Sequence, residues 1–188
     1  MARRFSHVVG FDDAPFQSHH RGDVLVVGTV YAGSRLEGVI SGKVRRDGAN
    51  STATLIRLVA QSRHQAHLKL IMLQGIAFAG FNVIDLVGLH AELDTPVITV
   101  VRKRPDMKAI RRALLRKVPG GRRKWRLIER AGPVERVGSV FIQRAGLTLP
   151  EATEVINRYT LNSALPEPLR VAHLIAGGVV LGESRHRP

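Results

Sequence analysis

Two adjacent aspartates, Asp12 and Asp13, follow a short apolar stretch, HVVGF at residues 7–11. Carboxylates at the end of a buried strand are ligands that Mg²⁺ prefers, so the pair predicts a metal site. Consecutive residues on a strand point to opposite faces of the sheet, so both can enter one site only if the chain turns between them. Asp12, which ends the apolar run, is the better candidate ligand. The alternative is a polar turn ahead of Pro15, because proline restricts the preceding residue to extended conformations.

A third carboxylate, Asp47 in the segment RRDGANST, follows the third predicted strand and precedes the first predicted helix. Its position near a strand end makes it a second candidate metal ligand. The alternative is local, because Asp-Gly is a common turn dipeptide and aspartate is favourable just ahead of a helix.

A glycine-containing loop, QGIAFAGFNVID at residues 74–85, carries Gly75 and Gly80 between a predicted strand and a predicted helix. Backbone N–H groups in such a loop can approach a phosphate, so we expect both glycines to contribute to nucleic-acid binding. The spacing matches neither a Rossmann nor a P-loop fingerprint, so the motif is weak by itself. An enzyme acting on a phosphorylated small molecule is the alternative use of this loop.

The segment from residue 102 to residue 130 is strongly basic, with thirteen Lys or Arg and two acidic residues. It begins where the predicted strand PVITVV ends, and ligands of open α/β sheets bind at the carboxyl ends of strands. A basic segment that contains an aromatic residue can follow phosphates while a base stacks on the ring. The alternative is a solvated helix face and loop. The expected nucleic-acid contacts are Arg102, Arg104, Arg122, Arg123, Lys124 and Trp125.

The composition favours a polyanionic partner and excludes several classes of protein. The 188 residues contain 29 Lys or Arg against 15 Asp or Glu, for a formal net charge of +14. Such a charge attracts nucleic acid, although a generally basic proteome in the host would produce the same excess. The chain has no cysteine, which excludes disulfides and thiolate nucleophiles. No stretch reaches the roughly 18 apolar residues that a membrane span needs, so we expect a soluble, cytoplasmic protein.

The hydrophobic patterns predict a single α/β domain over residues 1–188. The first half is expected to contain strands at 7–11, 23–32 and 36–45, a helix, a buried strand within 67–78, a helix capped by Asn82, and a strand at 96–101. The second half is expected to contain a helix at about 106–117, a loop at 118–122, one more strand, and helices at 149–160 and 168–182. This order indicates a mixed sheet flanked by helices.

Several segments resemble a small, mostly archaeal family that was long labelled domain of unknown function 99 and is now described as endonuclease-dU-like. The segments are FDDAPF, DG-x-x-x-T at residues 47–52, GIAFAGFNVID, PVITVVRKRPD and LRVAHLIAGG with GESR. The resemblance spans almost the whole chain. It implies a ribonuclease-H-like fold related to endonuclease V, an enzyme that cuts nucleic acid near deaminated bases using Mg²⁺.

The resemblance also implies roles for individual residues. Asp12 matches the aspartate on the first strand of endonuclease V, Asp47 falls near the place of its glutamate, and Lys103 matches its strand-ending lysine. These three are the implied catalytic residues, and the implied metal ligands are Asp12, Asp13 and Asp47. Gln74 departs from the family pattern, because endonuclease V has an aspartate there and a neutral amide binds Mg²⁺ more weakly. The acids that could compensate are Asp13, Asp85 and Glu183.

Two hypotheses follow for the same fold. In the first, the protein is a Mg²⁺-dependent endonuclease, with Mn²⁺ as an alternative metal, that acts on DNA rather than RNA at uracil or hypoxanthine. Trp125 or Phe16 would stack beside the damaged base. In the second, the protein binds nucleic acid without cutting it, and Gln74 marks a metal site that has lost its chemistry.

Overall fold

The structure, a computed structural model, describes residues 4–161 and 163–184. The strands are β1 (His7–Asp13), β2 (Asp23–Ala32), β3 (Arg35–Arg45), β4 (Leu70–Gln74), β5 (Ala77–Phe78), β6 (Asn82–Val83), β7 (Val97–Val101), β8 (Glu135–Val137) and β9 (Val140–Ala145). The α-helices are α1 (Ser51–Ala60), α2 (Leu86–Leu93), α3 (Met107–Lys117), α4 (Gly121–Arg130), α5 (Leu149–Tyr159) and α6 (Glu167–Leu181). A short 3-10 turn, Gln65–His67, precedes β4.

Seven strands form one mixed sheet in the order β3-β2-β1-β4-β7-β9-β8. The first three strands pair in antiparallel fashion. β4 lies parallel to β1, with Phe11 opposite Leu73, and β7 lies parallel to β4, with Gln74 opposite Val100. The carboxyl ends of β1, β4 and β7 therefore meet at one edge of the sheet, which is where open α/β sheets bind ligands.

Helices cover both faces of the sheet because its central strands are apolar on both sides. On one face, Val9 and Ile71 belong to a core that includes residues of α1 and α2. On the other face, Val8 and Met72 belong to a core that includes residues of α5 and α6. The predicted mixed sheet flanked by helices is confirmed. In the part of the chain that the structure describes, no helix has the length and apolar character needed to cross a membrane.

The segment between β4 and α2 differs from the prediction. Asn82 does not cap a helix but lies in the β5–β6 hairpin, and Asp85 is the N-cap of α2, accepting a hydrogen bond from Gly88 N at 2.9 Å. Asn82 is fully buried, donates to Arg45 O at 2.8 Å and accepts from Ser51 N at 3.0 Å. Each strand of this hairpin has only two residues, too few for hydrophobic alternation to show in the sequence.

The basic segment is more regular than the sequence suggests. The residues after 120, expected to begin as a loop, form α4, which packs against α3. Leu114 of α3, Ile128 of α4 and Val83 of β6 share a small buried cluster. The two helices, Met107–Lys117 and Gly121–Arg130, are called the basic helical hairpin below. Their charged side chains are presented on a packed element rather than on a loose loop.

Candidate active site

Asp12 lies near the carboxyl end of β1 and is 4% exposed. Its side chain meets α6, where His173 Nδ1 lies 2.8 Å from Asp12 Oδ2. The start of α6 can approach β1 closely because position 10 is glycine, where an added Cβ would lie 2.6 Å from Pro168. Burial raises the pKa of Asp12, and the hydrogen bond with His173 opposes that rise. The result is a desolvated carboxyl group that His173 and the backbone N–H of Asp13 both contact.

Gln74, the last residue of β4, is the neighbour of Asp12 in the parallel register. Phe11 pairs with Leu73, so the next step along both strands places Asp12 beside Gln74, with the two side chains on the same face. Gln74 Oε1 is buried and, within the described residues, has no hydrogen-bond partner. An unsatisfied buried acceptor costs roughly 1–3 kcal/mol, which a cation or a donor from a bound molecule would relieve.

Asp13 faces the opposite side of β1, as alternation along a strand requires. Its Oδ2 accepts a hydrogen bond from Ala79 N at 2.8 Å, in the turn of the β5–β6 hairpin. Burial, and then the neighbouring charge of Asp12, raise the pKa of Asp13 to about 7. Asp13 therefore anchors the hairpin on one face while Asp12 contacts α6 on the other.

Asp47 forms a turn that is held from several sides. Its φ of 51° lies in the left-handed region, its N–H donates to Ala79 O at 2.9 Å, and its Oδ1 accepts from Phe81 N at 2.8 Å. Glycine is required at position 80, because a Cβ there would lie 2.5 Å from Asp47 Oδ1. Arg46 Nε lies 3.4 Å from the other carboxylate oxygen. The contacts of Asp47 therefore agree with the alternative that it is a turn residue, and any metal binding would come in addition to them.

The glycine loop uses its N–H groups within the protein. Gly75 and Gly80 adopt φ values of 88° and 84°, directly after β4 and in the hairpin turn. The N–H groups of residues 79 and 81 donate to Asp13 and Asp47. These two donors are therefore already satisfied, while the contribution of Gly75 and Gly80 to nucleic-acid binding stays a prediction.

Lys124, predicted as a nucleic-acid contact, is only 5% exposed. Its Nζ donates to Asp47 O at 2.5 Å, and burial lowers its pKa. The contact ties the basic helical hairpin to the Asp47 turn. Lys124 therefore connects two parts of the site edge instead of projecting into solvent.

The other predicted cations lie on the surface. Arg102, Lys103 and Arg104 are exposed directly after β7, at the sheet edge that carries Asp12, and Arg122 and Arg123 are exposed in the first turn of α4. The indole of Trp125 is half-buried, donates to Glu129 Oε1 at 2.6 Å and lies 5.9 Å from the Arg111 guanidinium. The arrangement presents positive charge from the end of β7 to α4.

Within residues 4–161 and 163–184, no three His, Asp or Glu side chains are grouped so that they could hold a metal ion. Asp85, one of the acids expected to compensate for Gln74, is instead engaged as a helix cap and by Arg130. The pair of oxygen ligands that the strands bring together is the Asp12 carboxylate and the Gln74 amide. Mg²⁺ commonly takes one or two protein carboxylates and completes its shell with water and substrate phosphate. The orphaned Gln74 Oε1 beside Asp12 fits such a cation.

The comparison with known families decides the assignment of the chain. Residues 4–180 match the model of a family described as Endonuclease dU. The chain belongs to the Endonuclease dU family. A UPF0215 protein of Deinococcus radiodurans is 56% identical over 181 residues, covering 96% of this chain and 92% of that protein. A UPF0215 protein of Methanothermobacter thermautotrophicus is 48% identical, with 95% and 89% covered. The family resemblance carried by the sequence motifs is confirmed.

Solved structures agree with the Endonuclease dU assignment. A protein of unknown function from Archaeoglobus fulgidus matches with a TM-score of 0.86 at 33% identity, covering 93% of this chain and 98% of that one. Human endonuclease V matches with a TM-score of 0.61 at 14% identity, with 93% and 84% covered. At that identity the likeness establishes the fold, which is ribonuclease-H-like as predicted. Family and fold together support a nuclease that acts on nucleic acid.

His173 is the site residue that sequence reasoning missed. It lies 161 residues from Asp12 in the chain, and the histidines of the sequence show no metal-ligand spacing. The sequence offered one indication. His173 is the one histidine in the mostly apolar segment LRVAHLIAGG, which itself carries the family resemblance. Only the packing of α6 on β1 reveals its partner.

Proposed function

We propose that this member of the Endonuclease dU family is a divalent-metal-dependent endonuclease that cuts nucleic acid, DNA rather than RNA, near deaminated bases. The observation that carries the proposal is the buried Asp12 carboxylate, paired with His173 and placed beside the unsatisfied Gln74 oxygen at the carboxyl edge of the sheet. A buried acid with a raised pKa at such an edge is typical of a functional site.

Each residue of the edge has a chemical task in this proposal. Asp12 and Gln74 would hold Mg²⁺ or Mn²⁺, which supplies an activated water and stabilises the leaving oxygen when bound. His173 orients the Asp12 carboxylate through the 2.8 Å hydrogen bond. The positive charge of Lys103 would stabilise the negative charge that develops on the phosphate during hydrolysis. Asp13 and Asp47 remain proposed ligands from the resemblance, although each also binds the β5–β6 hairpin.

The preference for deaminated bases is supported by the description of the family, Endonuclease dU. A structural relative also supports this preference. The endonuclease V of Ciona intestinalis, with a TM-score of 0.57 and 14% identity, was solved with DNA containing an inosine followed by a ribo-adenosine. Uracil and hypoxanthine are therefore the bases to test first.

The deciding experiment is cleavage of labelled single- and double-stranded oligonucleotides that contain uracil, hypoxanthine or neither, with Mg²⁺, Mn²⁺ or EDTA. We expect metal-dependent cutting near the modified base by the wild type, and loss of cutting in Asp12→Asn and in Gln74→Leu. Glu92→Gln makes the same acid-to-amide change on an exposed helix residue and should cut normally. Cutting that persists in EDTA, or in Asp12→Asn, would contradict the proposal.

The second candidate function is binding without cleavage, and Gln74 is the observation that favours it. A neutral amide in place of a carboxylate leaves the site one negative charge short for a divalent cation. In that case the wild type should bind the same oligonucleotides with strong salt dependence and cut none of them with either metal. An enzyme acting on a phosphorylated small molecule is less favoured, because the N–H groups of residues 79 and 81 in the glycine loop are occupied by carboxylates.

A further inference from the structure

Loop 14–22, which connects β1 to β2, encloses a cavity of about 450 Å³ against the carboxyl end of α6. Its lining begins at Ala14, the residue that follows Asp13 in the chain. Its apolar lining includes Pro15, Phe16, Val180 and Leu181, and its polar lining consists of Gln17, His19, His20 and Asp23. Mostly apolar pockets of this size with a few polar groups are typical of sites for small organic molecules.

Aromatic rings line this cavity. The Phe16 and His20 rings lie 6.4 Å apart at an interplanar angle of 49°, and the Arg46 guanidinium carbon lies 5.5 Å from the centre of the Phe16 ring. Aromatic faces of this kind stack with flat heterocycles, and nucleobases stack on them with little dependence on sequence. The chemistry of the cavity therefore suits a flat, uncharged ring.

A second cavity of about 440 Å³ shares His19 and His20 with the first. Its lining includes Arg21, Arg45 and Arg46, with Asp47 as its one carboxylate. Arg45 lies 3.7 Å from Asp23 and Arg46 lies 3.4 Å from Asp47, so the three guanidinium groups leave a net positive charge that favours a phosphate. An apolar ring-lined cavity next to a cationic cavity matches the two chemical parts of a nucleotide.

The loop between the two cavities is held in place by the protein. Arg46 Nη1 donates to Ser18 O at 2.6 Å and also to His20 O. At the other end of the loop, Ala14 N donates to Leu25 O at 2.8 Å. Because Arg46 adjoins Asp47, these hydrogen bonds fix the loop relative to the Asp47 turn.

We propose that the cavity under loop 14–22 binds one unstacked base of the nucleic-acid substrate, with Phe16 as the stacking surface, while the arginine-lined cavity binds an adjacent phosphate. The choice of ligand rests on the proposed function, since it takes nucleic acid as the substrate. The inference adds a base-binding subsite on the β1–β2 side of Asp12, separate from the basic helical hairpin.

The test is a fluorescence titration of the full-length protein with a single-stranded oligonucleotide carrying one 2-aminopurine, in EDTA so that no cleavage occurs. Stacking on an aromatic ring quenches this base. We expect saturable quenching by the wild type and by Phe16→Tyr, which keeps the aromatic face. Phe16→Leu keeps an apolar side chain but removes the ring, and we expect it to lose the quenching and to bind about 5- to 100-fold more weakly.

Leu36→Ala is the matched control. Leu36 is an exposed apolar residue at the start of β3, whereas the arginine-lined cavity lies at the end of that strand. Thermal unfolding of each variant checks that the fold is retained. Quenching and affinity that are unchanged in Phe16→Leu would overturn the inference, and so would an absence of binding by the wild type. Loss in Phe16→Leu with retention in Phe16→Tyr supports it, even if the wild type proves unable to cut, which would reject only the proposed nuclease activity.

Discussion

At the scale of single residues, the carboxylates of the site edge make structural hydrogen bonds and are also proposed metal ligands. Asp13 and Asp47 accept backbone N–H groups of the β5–β6 hairpin, at residues 79 and 81. Asp12 contacts His173 and lies beside Gln74, whose oxygen is unsatisfied. The hydrogen bonds of Asp13 and Asp47 can be tested separately from any role in metal binding, because asparagine keeps an accepting oxygen but carries no charge.

We expect Asp47→Asn to fold normally, because asparagine tolerates left-handed backbone and can still accept from Phe81 N–H. Asp47→Ala loses that hydrogen bond and strains the backbone, so we expect its free energy of unfolding, measured by urea denaturation, to fall by about 1–3 kcal/mol. If Asp47 is also a metal ligand, Asp47→Asn should cut far more slowly than the wild type. Cutting by Asp47→Asn at the wild-type rate would make Asp47 a turn residue only.

Asp13 should make stability depend on pH in the absence of metal. Its pKa rises from 3.8 to about 7 on folding, so between these values the folded protein holds a proton that the unfolded chain releases. The contribution of Asp13 to the free energy of unfolding is therefore greatest below about pH 4 and decreases as the pH rises to about 7.

Asp13→Asn cannot ionise, so we expect it to be more stable than the wild type by about 1–3 kcal/mol above pH 7, with the difference shrinking towards pH 4. Urea denaturation in EDTA across this range measures the effect. The exposed Glu92→Gln variant should follow the wild-type curve. Parallel curves for Asp13→Asn and the wild type would contradict the assigned burial of this carboxyl group.

At the scale of elements, the β5–β6 hairpin and the basic helical hairpin depend on each other. Val83 packs with Leu114 and Ile128, and Lys124 Nζ reaches the Asp47 turn. The cations of α3 and α4 are thereby given a fixed position relative to the carboxyl edge of the sheet. A change at the α3–α4 junction should therefore affect stability and the geometry of the basic surface together.

Gly121→Ala should disrupt this junction, because a Cβ at position 121 would lie 1.8 Å from the Leu114 carbonyl oxygen. The backbone must move to admit it, and we expect a loss of about 1–3 kcal/mol in the free energy of unfolding. Gly178→Ala is the matched control, since the nearest heavy atom is Ser184 Oγ at 3.8 Å. Alanine in this helix should be neutral or stabilising by up to about 1 kcal/mol, and equal losses in both variants would contradict the close approach.

At the scale of the whole molecule, the net charge of +14 is distributed unevenly. Thirteen of the 29 Lys and Arg residues lie between positions 102 and 130, and the first three of them, Arg102, Lys103 and Arg104, directly follow β7 at the sheet edge of Asp12. Polyanion binding through such a surface releases counterions, so the logarithm of the binding constant falls linearly with the logarithm of the salt concentration. The slope reports how many phosphates the surface neutralises.

We expect the double variant Arg122→Ala with Arg123→Ala to bind oligonucleotides more weakly and to reduce the salt slope by about 0.7–0.9 for each phosphate that it no longer neutralises. Arg57→Ala, which removes an exposed cation from the last turn of α1, should leave the slope unchanged. Fluorescence anisotropy in EDTA over a range of salt concentrations measures both. An equal slope in the double variant would place the phosphate-binding surface elsewhere.

The sequence by itself determined the family, the mixed α/β sheet and the position of Asp12 at the end of the first strand. These features depend on local patterns, namely β-branched apolar runs, turn residues and short motifs such as AGFNVID and VVRKRPD. Hydrophobic periodicity reports such elements because it needs only near neighbours along the chain.

The tertiary structure alone decided which groups meet. His173 reaches Asp12 because α6 packs against the glycine on β1, and Lys124 turns inward because α4 packs beside the Asp47 turn. The two cavities arise because loop 14–22 lies between α6 and Arg46. Interactions between residues many positions apart follow from packing and register, which local sequence patterns do not encode, and the burial that shifts the pKa of Asp12 and Asp13 exists only in the folded chain.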